Sequence, residues 1–281
     1  MTARPEGLPD SLASLERPVI VGICNVTPDS FSDGGQWASP EVAIAHGLEM
    51  VRAGADVVDV GGESTRPGAD RVPVHTEMGR VLPVVAELAA RGVAVSIDTM
   101  RASVALAAVQ AGAAIVNDVS GGLADPAMLR TVARTGAVYI LSHWRGHSTV
   151  MDELDQYGDV VADVRVELAE RLDAAVEAGI DLRRIAIDPG LGFAKTGVHN
   201  WSLLARLGEL MELGRPVMVG ASRKRFLASG APADSPAERD HATAAVTALA
   251  AAAGAWAIRV HEVPRNTEAA RIGFSWRAAT R

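Results

Sequence analysis

The stretch Ala-Gly-Ala-Asp-Val-Val-Asp-Val-Gly-Gly at residues 53–62 decides the fold of this chain. Its Gly-Ala step is typical of a helix end, and the apolar run that follows stops at Asp59 and two glycines. The run is apolar on both faces, as buried parallel strands are. The same step returns at residues 111–113, 135–137 and 253–255. The stretch therefore indicates one unit of a repeating helix–strand pattern.

Eight apolar runs predict eight strands, at residues 19–24, 56–60, 93–97, 114–117, 138–142, 185–188, 217–219 and 256–260. The intervals are long enough for amphipathic helices, such as one opened by Pro40 after Ser39 and one at residues 157–178. This repeat predicts the α/β class and a (β/α)8 TIM barrel, which typically runs to about 250 residues as one domain. We expect a single barrel domain over residues 18–281 and a flexible extension over residues 1–17.

The composition of the chain excludes several classes of protein. A net charge of −7 argues against a nucleic-acid surface, which needs a basic footprint. The single cysteine, Cys24, has no partner for an internal disulfide and fits a reducing cytoplasm. The longest apolar window, residues 242–258, is rich in alanine and broken by Thr and Gly, so we expect a packed helix running into a strand. We therefore expect a cytoplasmic protein with no nucleic-acid or membrane partner.

Two long loops follow the first two predicted strands, at residues 25–35 and 59–68. In a (β/α)8 barrel the carboxyl ends of all strands form one shared site, so these loops would meet there. Both offer backbone amides and hydroxyls, and the second adds the guanidinium of Arg66, which suits an anion. The alternative is that they are ordinary mobile loops without a function.

Asp98, Asn117 and Asp188 each end another apolar run. A carboxylate at a barrel mouth is unfavourable unless it finds hydrogen-bond donors. Each residue alone has the alternative role of a structural cap on its loop. All three together indicate a ligand with several N–H donors and a few acceptors. A heteroaromatic ring with an amidine-like edge fits, because an N–H and an NH₂ side by side match one carboxylate.

Positive charge gathers in the Ser-Arg-Lys triplet at residues 222–224 and the Arg-Val-His triplet at residues 259–261. In an extended segment residues i and i+2 share a face, so the first and third residues of each triplet are expected to point to one place. Barrels frequently hold phosphate beside strands 7 and 8. The triplets thus indicate a site for a small anion, with a solvated rim as the alternative. His143, at the end of the fifth run, is the other histidine expected to line the site.

Other catalytic templates are absent from the sequence. It contains no P-loop, no G-x-S-x-G elbow, no H-E-x-x-H and no cysteine-based metal spacing. Gly61-Gly62 and Gly190-x-Gly192 lack the full dinucleotide fingerprint.

Five motifs follow one another along the chain: NVTPDSFSDGG at 25–35, DVGGESTRPG at 59–68, DPGLGFAK at 188–195, SRK at 222–224 and RVH at 259–261. Together they closely resemble those of bacterial dihydropteroate synthases. The resemblance runs from about residue 18 to about residue 270, and its two longest motifs are highly specific. It implies a transferase of folate biosynthesis that joins 4-aminobenzoate to 6-hydroxymethyl-7,8-dihydropterin diphosphate, releasing diphosphate and forming 7,8-dihydropteroate.

The resemblance also implies how the pterin is held. Asp188 would take the 2-amino and N3 edge of the ring, helped by Asn117. Lys224 would reach the carbonyl side, and Arg259 would stack on the ring. Asp98 would lie near the reacting carbon. Asp98, Lys224 and Arg259 are thus the residues expected to be catalytic.

The other two ligands have their own implied residues. The diphosphate would be held by Asn25, Thr65, Arg66, Arg259 and His261, with Asn25 beside a Mg²⁺ cofactor. The 4-aminobenzoate would lie among Thr65, Phe193, Ser222 and Lys224.

The chain departs from the family at Ser142, where methionine is common, and this places a small hydroxyl in the pterin floor. The family further implies a homodimer, for which the alanine-rich predicted helix at residues 242–253 offers a flat surface. A methyltetrahydrofolate methyltransferase-like barrel is a second possibility, but it would leave Arg66 and residues 222–224 without a diphosphate to hold. A catalytically silent pterin-binding paralogue is a third, although all the site residues are intact.

Overall fold

A computed structural model describes residues 4–27, 39–64, 71–147, 153–231 and 235–280, and its eight strands form one parallel sheet. The strands are β1 Val19–Asn25, β2 Val57–Gly61, β3 Val95–Asp98, β4 Ile115–Asp118, β5 Val138–Ser142, β6 Ile185–Asp188, β7 Met218–Val219 and β8 Ala257–Val260.

The sheet closes on itself. Its hydrogen-bonded order is β6-β5-β4-β3-β2-β1-β8-β7, and a parallel bridge between Ile187 and Val217 joins the two ends. Across the same seam the Ile187 N–H donates to the Pro216 carbonyl at 2.8 Å. The predicted single-domain (β/α)8 TIM barrel is therefore confirmed. The ends of each predicted strand lie within two residues of the observed ends. The small differences arise because an apolar run does not mark where backbone pairing begins.

Helices cover the outside of the barrel. They are α1 Asp10–Ala13, α2 Pro40–Arg52, α3 Val74–Ala90, α4 Ala102–Gln110, α5 Met128–Thr135, α6 Val160–Glu177, α7 Gly197–Ala205, α8 Leu207–Met211, α9 Asp240–Ala253 and α10 Val263–Ala279. The helix predicted from residue 157 begins instead at Val160, because the Asp159 side chain accepts hydrogen bonds from the Val161 and Ala162 amides. In the described part of the chain, no helix combines the length and apolarity needed to cross a bilayer.

Two apolar layers stabilise the barrel. The outer layer lies between the strands and the helices and includes Val58, Leu88 and Leu168. The inner layer fills the lower half of the barrel with side chains such as Val57 and Ile140. Because this lower half is filled, the polar side chains are left to the upper end, where the strands finish.

The N-terminal extension differs from the expectation that it is flexible. Residues 4–17 pack beneath the barrel, with Leu8 and Leu12 buried in the inner apolar layer. Arg17 donates two hydrogen bonds to the Asp56 carboxylate, at 2.6 and 2.8 Å. No apolar pattern predicted this packing, because the extension carries only a few apolar residues between polar ones. Leu8 and Leu12 cover the lower end of the barrel.

We predict that Leu12→Ala lowers the free energy of unfolding by about 2–5 kcal/mol, since it removes a side chain that is 2% exposed in this layer. Urea denaturation followed by circular dichroism measures the change. Leu123→Ala is the control, because Leu123 is 48% exposed, and it should change stability by less than about 0.5 kcal/mol. Equal effects of the two substitutions would contradict packing of the extension.

Candidate active site

The Arg259 guanidinium links three strands at the upper end of the barrel. Its Nε donates to Asp59 Oδ2 and its Nη2 donates to Asp98 Oδ2, both at 2.6 Å. Asp59 lies in β2 and Asp98 ends β3, whereas Arg259 comes from β8. Asp98, which was predicted to need a donor, therefore finds one in a residue far away in the sequence.

Asn117 joins the same cluster through Asp59. Its Nδ2 donates to Asp59 Oδ2 at 3.0 Å, and its backbone is in register with Asp98 on β3. Sequence reasoning did not assign a role to Asp59, although it is completely buried. Its position inside an apolar strand was the available signal, because a carboxylate is rarely buried without partners.

Asp188 and Lys224 form the other side of the site. Asp188 is buried, and its Oδ1 accepts the Gly190 N–H at 2.7 Å. The Lys224 ammonium donates to the Leu191 carbonyl and lies 4.5 Å from the centre of the Phe193 ring. The loop after β6 must approach the lysine stem closely, since a Cβ at Gly192 would lie 2.8 Å from Lys224 Cδ. The site thus has an acidic floor with a cation and an aromatic ring at one wall.

Removal from water has the largest effect on the pKa values of these groups. It raises the pKa of Asp98 to about 7, against the opposing effect of Arg259. It also raises the pKa of Asp188, which Lys224 partly offsets. The same effect lowers the pKa of Lys224 to about 8, although Asp188 favours the charged form. Near neutral pH, modest environmental changes can therefore change the charge of Asp98 or Lys224.

Ser222 and His261, which follow β7 and β8, contact each other. Ser222 Oγ lies 3.0 Å from His261 Nδ1 and accepts the His261 backbone N–H at 3.1 Å. Between Ser222 and Lys224, Arg223 adopts a positive φ of 59° and donates two hydrogen bonds to the Asp240 carboxylate of α9. Arg223 is thereby turned to the helix layer, so the site gains charge from Lys224 and not from its neighbour.

A second cluster, of which sequence reasoning singled out only His143, supports the β6 loop. Lys195 Nζ lies 2.8 Å from His143 Nδ1 and donates to the Gly190 and Phe193 carbonyls, each at 3.0 Å. His143 Nε2 lies 2.8 Å from a Glu167 carboxylate oxygen. Burial lowers the pKa of His143 to about 4, so the neutral ring donates to Glu167 and accepts from Lys195.

The predicted site residue His143 is thus a support for the loop that carries Phe193. One signal could have found Lys195: only two of the 27 Lys and Arg residues are lysines, and both belong to this site. A compact ammonium with three donors fits among carbonyls where a planar guanidinium does not.

Asn25 ends β1 beside the acidic cluster. Its amide oxygen lies 3.5 Å from the position of a Cβ at Gly61, and Asp98 Oδ2 lies 3.7 Å from the same point. Within the described ranges, no three His, Cys, Asp or Glu side chains are grouped to hold a metal. Asn25 offers one oxygen ligand, which suits Mg²⁺ bound mainly through substrate phosphates and water.

Two predicted site residues, Thr65 and Arg66, lie outside the described residues. The flanks of their loop are firmly held, because Glu63 accepts the Val72 amide N–H at 3.0 Å and pairs with Arg101 at 2.8 Å. Ser142 is buried at the end of β5, in register with Asp188.

Comparisons with known proteins agree with this geometry. A family model described as pterin binding enzyme matches residues 21–261. The dihydropteroate synthase of Mycobacterium leprae is 53% identical over 270 residues, which are 94% of this chain and 95% of that protein.

Solved structures are similar as well. A Xanthomonas albilineans dihydropteroate synthase with 4-aminobenzoic acid is 45% identical, with a TM-score of 0.87 and 94% of each chain covered. The structure of a synthase from the same organism in complex with 7,8-dihydropteroate is 42% identical, with a TM-score of 0.84 and again 94% of each chain covered.

We predict that Lys195→Met speeds amide hydrogen exchange in residues 190–194 by about tenfold or more, because two loop carbonyls lose their donor. Exchange followed by mass spectrometry measures the effect. His199→Ala is the control, since it removes the ring nitrogen that accepts the Thr196 N–H at the exposed end of the same loop, and it should leave exchange in residues 190–194 unchanged. Wild-type exchange in Lys195→Met would contradict the supporting role.

Proposed function

This chain belongs to the pterin-binding enzyme family, among its dihydropteroate synthases, and we propose from this how the barrel rim functions. The chain condenses 6-hydroxymethyl-7,8-dihydropterin diphosphate with 4-aminobenzoate, giving 7,8-dihydropteroate and diphosphate. The observation that carries this function is the single rim where the acceptors Asp188 and Asn117 meet the cations Lys224 and Arg259. A ring with a donor edge and an anionic leaving group needs both.

The pterin binds with its 2-amino and N3 edge against Asp188. One carboxylate oxygen already accepts the Gly190 amide, so the other is available to the ring. Asn117 adds a further acceptor, and Lys224 takes the carbonyl side. Arg259 lies against the ring, held in place by its two carboxylates. Such hydrogen bonds between charged and neutral groups are the stronger ones, which favours this orientation.

The diphosphate lies at the β1 and β2 side of the rim. Asn25, Arg259 and His261 would contact it, and the predicted contributions of Arg66 and Thr65 come from residues outside the described ranges. Bound Mg²⁺, with Asn25 as a protein ligand, would neutralise the charge that develops on the leaving diphosphate. Cationic side chains that are already in place lower the barrier because they need no rearrangement during bond breaking.

The 4-aminobenzoate lies at the opposite wall. The Phe193 ring, with the Lys224 ammonium 4.5 Å from its centre, offers an apolar face to its ring, and Ser222 supplies a hydroxyl for one polar end. Thr65, which was also predicted to contact this substrate, lies outside the described residues. Because Lys195 holds the backbone carbonyl of Phe193, the position of this aromatic residue does not depend on the substrate.

The reaction is a displacement in which bond breaking leads. The C–O bond to the diphosphate breaks first, and its electron pair leaves with the diphosphate. The exocyclic carbon becomes cationic, the electron-rich ring spreads the charge, and the Asp98 carboxylate stabilises it. The aniline lone pair then forms the C–N bond, and the nitrogen loses one proton to the released diphosphate or to water. No covalent enzyme intermediate is needed, which agrees with a site built from acceptors and cations.

We predict diphosphate release that requires pterin diphosphate, 4-aminobenzoate and Mg²⁺ together. Asp188→Asn and Lys224→Ala should each lower kcat/KM by about 10- to 150-fold, the scale of a lost charge-assisted hydrogen bond of about 1.5–3 kcal/mol. A coupled assay for diphosphate measures this.

Matched control positions lie before the amino-terminal end of β6, away from the rim. Asp181→Asn and Arg183→Ala change exposed residues of the same types of charge, and their kcat/KM should equal that of the wild type. Release without 4-aminobenzoate would reveal a hydrolase and contradict the synthase function. Wild-type kinetics in Asp188→Asn or Lys224→Ala would contradict the role of that residue.

We further propose a homodimer built on α9 and α10. These helices pack so closely that a Cβ at Gly273 would lie 2.1 Å from the Ala248 carbonyl oxygen. Their outer sides carry Leu249, Ile272 and Trp276, which are 68%, 68% and 70% exposed. Large apolar side chains exposed together favour burial against a partner. The cytoplasmic location stays an expectation from the single cysteine.

The double substitution Leu249→Glu with Ile272→Glu should convert the dimer to a 29.3 kDa monomer, because it places charges in the apolar contact. Sedimentation equilibrium at micromolar concentration measures the mass. Val166→Glu on α6, at a position that is 58% exposed, is the control and should remain dimeric. A wild-type chain that sediments as a monomer would contradict the proposal.

A further inference from the structure

Asp59 is a buried carboxylate that contacts two residues of the site. Its Oδ2 accepts both the Asn117 Nδ2–H at 3.0 Å and the Arg259 Nε–H at 2.6 Å. Among the described residues, its Oδ1 has no hydrogen-bond partner. A carboxylate paired with a guanidinium is an acceptor only. Any group that hydrogen bonds to Asp59 must therefore turn an N–H or O–H donor toward it.

The direction matters most for Asn117, whose amide has a donor end and an acceptor end. Only the donor end can face a carboxylate, so Nδ2 must point to Asp59. The acceptor end, Oδ1, then points elsewhere, and it is buried without a partner in the described part of the chain. A buried acceptor that lacks a donor is unfavourable, and a ligand N–H would relieve it.

Asp188 presents the same polarity from the other side. Because its Oδ1 is occupied by the Gly190 amide, the oxygen left for a ligand is again an acceptor. A ligand edge that enters between Asn117 and Asp188 meets acceptors on both sides. An edge with a carbonyl in place of an amino group would place one acceptor against another.

We propose that Asp59 is a specificity-determining residue, which fixes the Asn117 amide with its oxygen toward the ligand and so makes the site select a donor edge. The inference rests on the proposed function for the identity of the ring. Asp59 itself does not touch the ring, and it acts through Asn117 and Arg259.

Two small rings separate donor selection from general binding. Pterin carries an amino group at C2, whereas lumazine carries a carbonyl there and is otherwise the same size. With the Asn117 amide fixed, the chain should bind pterin in preference to lumazine. Without the carboxylate the amide is free to rotate, and its NH₂ can then face a carbonyl. The ratio of the two dissociation constants therefore reports the direction of the amide.

The test compares Asp59→Leu with Asp59→Asn by calorimetric titration of pterin and of lumazine. Leucine has a similar branched shape and no acceptor, so the preference for pterin should fall by about tenfold or more. Asparagine can keep an oxygen at the Oδ2 position, where it still accepts from both neighbours. Its preference should stay within about threefold of the wild type.

Asp118→Asn provides the matched control. Asp118 is the next residue after Asn117 and is equally buried, but it accepts from Tyr139 Oη at 2.7 Å and Ser120 Oγ at 2.6 Å on the helix side of the strand. This substitution should lower the melting temperature and leave the preference for pterin unchanged. An unchanged preference in Asp59→Leu, or an equal loss of affinity for both rings, would overturn the inference.

A measurement on the wild type decides the matter if Asp59→Leu does not fold. The Asn117 side-chain amide signal, assigned by its loss in Asn117→Asp, should be shifted downfield because its N–H binds a carboxylate. An unshifted signal overturns the proposal. A wild-type chain that binds neither ring contradicts the proposed function, whereas pterin preference that survives Asp59→Leu contradicts this inference alone.

Discussion

The ion pairs of Arg259 with Asp59 and Asp98 are the interaction on which the site depends. They join β8 to β2 and β3 across the barrel mouth, through two hydrogen bonds of 2.6 Å. Removal from water opposes the charge on Arg259, but Asp59 and Asp98 outweigh it and the pKa of the guanidinium is raised. Breaking one such pair would leave a charge largely removed from water and uncompensated, which is strongly destabilising. The positions of these side chains are therefore fixed by electrostatics as well as by the strands.

The barrel supplies the frame that makes this cluster possible. Parallel pairing places Asn25, Gly61, Asp98 and Asn117 in register at successive strand ends. The apolar lower half excludes water from beneath them, and the packed extension closes the bottom. Polar side chains held above such a floor have a low local dielectric, which strengthens each hydrogen bond and makes each missing one unfavourable.

The sequence predicted the barrel and most of the rim for a physical reason. A buried parallel strand must be apolar on both faces, so a run that stops at Asp98, Asn117 or Asp188 marks a strand end as well as a polar side chain. The confirmed strand positions followed from this rule.

Other features could not be predicted from a pattern along the chain. Asp59 lies inside its apolar run, so it resembled part of the strand, and its partners come from residues 117 and 259. Lys195 acts through two carbonyls and a histidine that only the folded loop brings together. Leu8 and Leu12 belong to a segment too short and too polar to show an apolar pattern. In each case the decisive contact joins distant residues.

The rim contains buried polar groups whose environment is unfavourable, and the proposed selection of a donor edge depends on this. Asp98 and Asp188 have raised pKa values and Lys224 a lowered one, because each charge has lost water. Asp59 Oδ1 and Asn117 Oδ1 are buried without donors in the described part of the chain. Under the proposed function, a ligand that brings an N–H donor to Asn117 Oδ1 and an anion near Lys224 would relieve these two deficits, whereas one that brings another acceptor would add to them; Asp59 Oδ1 does not contact the ligand. Buried polar groups without partners also lower the folding stability of the barrel, a cost that is common at binding sites.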